Sequence, residues 1–133
     1  MNKINDINIQ ERKYDMTDYN SIVPVVANAA ITVSGNITDL IVKARAGGVI
    51  HRAQIEMLKD QTAKVIADAR SHHTADIIMT NLDQIAKTQE HIDYLAKIGR
   101  LHGISLNMAM DQLSDLNDTL RRNLRRYENR ELW

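Results

Sequence analysis

VIHRAQIEMLKDQTAKVIADARSHHTADIIMTNLDQIAKTQEHIDYLAKI, residues 49–98, contains no proline and no glycine. Helix-forming residues dominate it. Its apolar positions Ile55, Leu58, Val65, Ile66, Ala69, Ile77, Ile78, Leu82, Ile85, Ile92, Leu95 and Ile98 recur mostly at spacings of three and four. That is the period of one face of an α-helix. Read as a single helix, the segment is roughly 70 Å long at ~1.5 Å per residue. A helix of that length has no place inside a compact globule and needs a partner along its length.

The sequence on either side fits this reading. Gly99 and Gly103 bracket a turn, and Ser105 is positioned to cap the next helix. Leu106, Met110, Leu113, Asn117, Leu120, Leu124 and Tyr127 then step by four and three, apolar at every position except Asn117. This is a seam that faces another helix. Upstream, Gly47-Gly48 ends an apolar segment as a helix C-terminus of positive φ does. That segment carries IVPVVANAAITV (22–33), with Thr17 or Asn20 as its cap and Pro24 near its first turn. Ser34-Gly35-Asn36 predicts a kink or break, with Thr38 capping a restart. Residues 1–17 are polar and aperiodic, which predicts a flexible arm. The expectation is an all-α protein. A single helical domain (18–133) has about three long helices, near 20–46, 49–98 and 104–131, in an antiparallel, coiled-coil-like bundle. Two chains pair along the central helix.

Composition supports this class. Four Tyr, one Trp and no Phe leave a core of Ile, Leu, Val, Met and Ala, which packs helix on helix more readily than sheet on sheet. Lys and Arg number 17 and so do Asp and Glu, so no global field draws the chain to nucleic acid or membrane, and such binding needs a local patch. The absence of cysteine removes disulfides, thiol nucleophiles and Cys-based zinc sites. The charged N-terminus has no apolar stretch behind it and is not a signal peptide. A cytoplasmic location is the resulting expectation, with a signal-less export route left open. Residues 22–46 barely reach the ~20 apolar residues of a membrane span and are interrupted by Asn28, Thr32, Ser34, Asn36 and Asp39, so they read as a buried helix.

Three features carry chemistry. His72 and Asp76 stand one helical turn apart, with His73 beside them and Asp68 a turn before. This spacing can place metal ligands together, but neither a paired Glu-x-x-His nor a His-Glu-x-x-His pattern accompanies it. The same patch, near the middle of the long segment, suits a polar layer on the two-fold axis of an antiparallel dimer. The run TLRRNLRRYENRELW (119–133) clusters Arg121, Arg122, Arg125, Arg126 and Arg130. With the terminal Trp133, it suits an acidic partner or phosphates. Met57, Met79, Met108 and Met110 read as gap-filling residues within helices. No phosphate loop or nucleophile elbow is present, because Gly47-Gly48 lacks the flanking strand and the Lys-Ser/Thr such a loop needs.

The reading is therefore a non-enzymatic helical protein without a cofactor that oligomerises and binds other proteins, an adaptor, chaperone or assembly component. Leu106, Met110, Leu113, Leu120, Leu124 and Tyr127 are assigned to self-association, and the Arg cluster with Trp133 to an outside partner. The alternatives are a nucleic-acid-associated dimer using the Arg cluster, a membrane-interacting protein using residues 22–42, and, last, a metal enzyme built on His72, His73 and Asp76.

Overall fold

The computed structural model describes residues 16–132, with side chains from Val25 onward. Among these residues there is no strand, and there are four α-helices: α1 (Met16–Arg45), α2 (Arg52–Arg70), α3 (Asp76–Lys97) and α4 (Gly103–Glu128), with a 3-10 turn at His73–Ala75 between α2 and α3. The expected arm lies outside the described residues, except its last two positions, which belong to α1. α1 packs against α2 and α4, and α3 packs against α2 and α4, so each helix has two principal neighbours. The core between them consists of aliphatic side chains, Ala, Met110 and Tyr127.

The segment expected as one helix over 49–98 is broken at residues 71–75. No glycine or proline marks the break. Instead, the backbone N–H of His72 turns back to the carbonyl of Ala69 (2.9 Å), and His72 is extended, with φ −124° and ψ 105°. Ser, His and Thr are weak helix formers. Tertiary packing supplies the rest. Ala75 is fully buried, and Tyr127 of α4, also fully buried, lies with its hydroxyl at Thr74. The break lets α2 cover α3 within one chain, where a continuous helix would have needed a second chain.

The other ends follow their glycines. Gly47 (φ 79°) and Gly99 (φ 70°) take the left-handed conformation. After α1, the Gly48 N–H bonds the Lys43 carbonyl (2.9 Å) and the Gly47 N–H bonds that of Ala44 (3.1 Å). After α3, the N–H of Arg100 bonds the Leu95 carbonyl and that of Gly99 bonds Ala96. This paired pattern satisfies helix-end carbonyls that otherwise have no partner. The predicted break at Ser34-Gly35-Asn36 is absent. α1 is one continuous helix across it, and Thr38 bonds the Ser34 carbonyl inside the helix rather than capping a restart. α1 also begins earlier than expected, so Pro24 lies within the helix rather than in its first turn. α4 begins at Gly103, with His102 at the N-cap position making no side-chain cap hydrogen bond, and Ser105 lies inside the first turn.

Ser34 and Asn36 have a different role. Ser34 Oγ donates to Asn117 Oδ1 (2.7 Å), Asn117 Nδ2 donates to Thr38 Oγ1 (3.1 Å), and Arg121 Nε and Nη2 donate to Ser34 Oγ and Thr38 Oγ1. Asn36 Nδ2 donates to Gln61 Oε1 on α2 (2.9 Å), and Gln89 Nε2 on α3 donates to Thr62 Oγ1 (3.0 Å). All four helices contribute to this polar level at mid-height. It fixes register, because sliding any helix by one turn leaves buried donors and acceptors unpaired. One atom is already unpaired: Gln89 Oε1 is buried with no hydrogen-bond partner.

These two positions are expected to respond oppositely. Asn117→Ala removes the acceptor of the Ser34 hydroxyl and one donor to Thr38 Oγ1, leaving both with Arg121, and should cost about 1–3 kcal/mol. Gln89→Leu removes an unsatisfied carbonyl while Thr62 keeps its bond to the Leu58 carbonyl, and should be neutral or stabilising. Urea unfolding of the two variants decides it. Equal losses would mean that the level is not a register device.

Candidate functional site

The buried seam is where the sequence placed it, but its partner is this chain. Leu106, Met110, Leu113, Asn117, Leu120, Leu124 and Tyr127 are all buried against the chain's own helices. The residues assigned to self-association thus line the intramolecular core. The histidines do not form a mid-helix layer. His72 and His73 sit at the α2–α3 turn, His72 half-buried and His73 exposed, with Asp76 opening α3. Among the described residues, no three His, Cys, Asp or Glu side chains group as metal ligands do.

The arginines spread around α4. Arg121 is held by Ser34 and Thr38, Arg122 donates to Thr119 Oγ1 (3.0 Å), and Arg126 pairs with Glu131 (3.7 Å). Arg125 borders a shallow hollow with Ile31, Leu124 and Glu128, and Arg130 ends the helix with φ 60°. Trp133 lies outside the described residues, while Leu132 is half-buried against the core. The apolar stretch of α1, Val25–Arg45, is long and apolar enough to cross a membrane. Its Val26, Ala27, Ala30, Val33, Ile37, Leu40 and Ile41 are spent on the core.

The strongest charge feature joins α2 to α3. Asp93 is buried, and three cations converge on it: Lys59 (3.2 Å), Lys97 (3.3 Å) and Arg52 (3.4 Å). Burial raises the pKa of this carboxyl. The hydrogen bonds and charges of Lys59 and Lys97 more than offset that, and hold it below its ordinary value. A buried carboxylate without such partners would be strongly unfavourable, so this cluster locks the first residue of α2 to the last turn of α3.

Two bonds identify the ends of the molecule. Arg52–Asp93 joins the start of α2 to the end of α3, and Arg45–Asp111 (2.9 Å) joins the end of α1 to the first part of α4. The connections 46–51 and 98–102 therefore share one end. Six large apolar side chains are exposed on and beside them: Val42, Val49 (68 %), Tyr94, Ile98, Ile104 (78 %) and Met108 (67 %). Scattered surface apolar residues are ordinary, but a concentration at one place marks an interaction surface. A second concavity, a groove of about 370 Å³ between α3 and α4, is lined by Gln84, Lys87, Thr88, His91, Gln112 and Leu116. It is open and polar, with no converging catalytic constellation. Sequence reasoning placed Met108 in the interior and assigned no role to Val49 or Ile104. The signal lies in two stretches that become neighbours only once the chain folds back.

Comparison with family models, with curated proteins and with solved structures finds no match to this chain. The reading of function therefore rests on geometry and chemistry.

The Asp93 cluster has a pH signature. Its folded pKa lies below the unfolded one, so its stabilisation is complete above the ordinary value of 3.8 and is lost as pH falls through the lower folded value. The stability advantage of the wild type over Asp93→Asn should be constant from neutral pH to about 5 and shrink in stronger acid. A gap unchanged at the acid limit of the folded state would show that the charge of Asp93 is not what holds α2 to α3.

Proposed function

We propose that this chain is a non-enzymatic interaction protein: an antiparallel four-helix bundle that works by attachment, through the end carrying the connections 46–51 and 98–102. The observation that carries the reading is the gathering of Val42, Val49, Tyr94, Ile98, Ile104 and Met108 at that end, away from a core that is already closed. The antiparallel arrangement is supported by cross-helix pairs that run in opposite order, Asn36 with Gln61 but Lys43 with Gln54, and Thr62 with Gln89 but Lys59 with Asp93. Within this reading, an outside partner is favoured over self-association through the heptad seam, because that seam is buried in the chain's own core and leaves no stripe for a second copy. The Arg cluster is a weaker docking candidate, since Arg121, Arg122 and Arg126 already bond within the chain.

Val49→Asp with Ile104→Asp tests the reading. Both side chains are largely exposed, so thermal stability should change by no more than about 0.5 kcal/mol each. Binding of a fluorescent apolar probe to the folded protein should fall sharply. Light scattering should give the monomer mass of 15.1 kDa. Unchanged probe binding would place the docking surface elsewhere, and a stable dimer would restore self-association as the mode.

A further inference from the structure

The docking end also has a charge pattern that narrows its partner. Residues 40–52 and 94–110 contain Lys43, Arg45, Arg52, Lys97 and Arg100, together with His51 and His102, and no Asp or Glu. In a chain whose charges balance, the two stretches that build this end are free of acid. Carboxylates flank both stretches: Asp39, which lines a hollow with Lys43, and Asp93 and Asp111. Asp93 is buried and bonded to Arg52, Lys59 and Lys97, Asp111 sits further along α4 and holds Arg45, and Glu56 on α2 meets Arg52. Lys43 reaches only the neutral Gln54, and Arg100 has no acidic partner among the described residues. The end is thus apolar at its tip, with Lys43 and Arg100 beside it as cations that no carboxylate among the described residues bonds.

A second copy fits this surface poorly. Two such ends brought face to face set Lys43 and Arg100, which no carboxylate among the described residues bonds, against like charge, and like charges across an interface are unfavourable. A surface that is both apolar and negative fits. Apolar residues on and beside the two connections, with Lys43, Arg100 and Tyr94 near them, match the interfacial zone of an anionic bilayer, where apolar side chains enter the headgroup–acyl boundary and cations face the lipid phosphates.

We propose that this end docks on an anionic lipid surface, inserting Val49, Ile98, Ile104 and Met108 shallowly and setting Lys43 and Arg100 against the headgroups. The proposal rests on the attachment reading above and deepens it by naming the partner. It differs from insertion of α1, because the core face of α1 stays buried throughout.

Flotation of the full-length chain with vesicles tests it. The expected result is co-flotation with phosphatidylcholine vesicles containing phosphatidylserine, none with phosphatidylcholine alone, and release at high salt. Arg100→Gln should lower partitioning about fivefold, and Ile104→Asn about tenfold or more. Melting curves should match the wild type for both. Absence of flotation with anionic vesicles at low salt overturns the proposal, as do equal flotation with neutral vesicles and indifference to both substitutions. If vesicles fail while Val49→Asp and Ile104→Asp still abolish apolar-probe binding, the attachment reading stands and its partner is an acidic, apolar protein surface. If those substitutions also leave probe binding unchanged, the attachment reading fails with it.

Discussion

The turn at residues 71–75 is the constraint on which the rest of the molecule depends. A continuous helix over 49–98 would extend its apolar stripe well beyond what α1 and α4 can cover, and the exposed half would have to find a second chain. Folding back at His72 replaces that second chain with the segment itself. α2 then buries Ile55, Leu58, Val65, Ile66 and Ala69, while α3 buries Ile78, Leu82, Ile85, Ile92 and Leu95. The turn is stabilised from outside, because fully buried Tyr127 at the far end of α4 packs at Thr74. Its hydroxyl pKa is raised, chiefly by burial, as befits a phenol held inside the protein. At the opposite end Asp93 fixes the same pair of helices with three cations. The α2–α3 pair is thus fastened near both ends and registered at its middle by Thr62 and Gln89.

Much of this was legible in the sequence. The α4 seam was readable position by position, including its one polar member, and Gly47 and Gly99 marked helix ends that the structure places within a residue or two. The fold-back was not readable in the same way. A helix ended by Gly announces itself through the left-handed conformation that Gly alone takes cheaply. A helix ended by Ser-His-His-Thr does not, when spacings of three and four continue on both sides. The polar interruption at His72 and His73 was visible, and its physical meaning, a place where no core contact is demanded, suited a turn as well as a layer between chains. Ser34-Gly35-Asn36 misled in the opposite direction. Its polarity suggested a break, but it serves the partners Asn117, Arg121 and Gln61, which lie far away in sequence. The end carrying the connections 46–51 and 98–102 was the least legible part. Its two acid-free stretches are more than forty residues apart, and only the fold-back brings them together.

The fold therefore separates two tasks. Polar side chains inside the bundle set register, which costs some burial of apolar surface and leaves Gln89 Oε1 unpaired. Apolar side chains that the core does not use stand exposed on and beside the two connections at one end.

The most direct measurement is the distance between spin labels on α2 and α3. The chain has no cysteine of its own, so Glu56→Cys and Glu90→Cys, both at exposed positions, take labels without interference. Dilution with unlabelled protein restricts the reading to one chain. The fold-back predicts a short distance, set by a helix separation of roughly 10 Å and the reach of the labels, because Glu90 lies beside Lys59 on α2 (3.9 Å). A distance near 50 Å, about that of thirty-four residues along one continuous helix, would contradict the fold-back and, with it, the shared end on which the proposed docking depends.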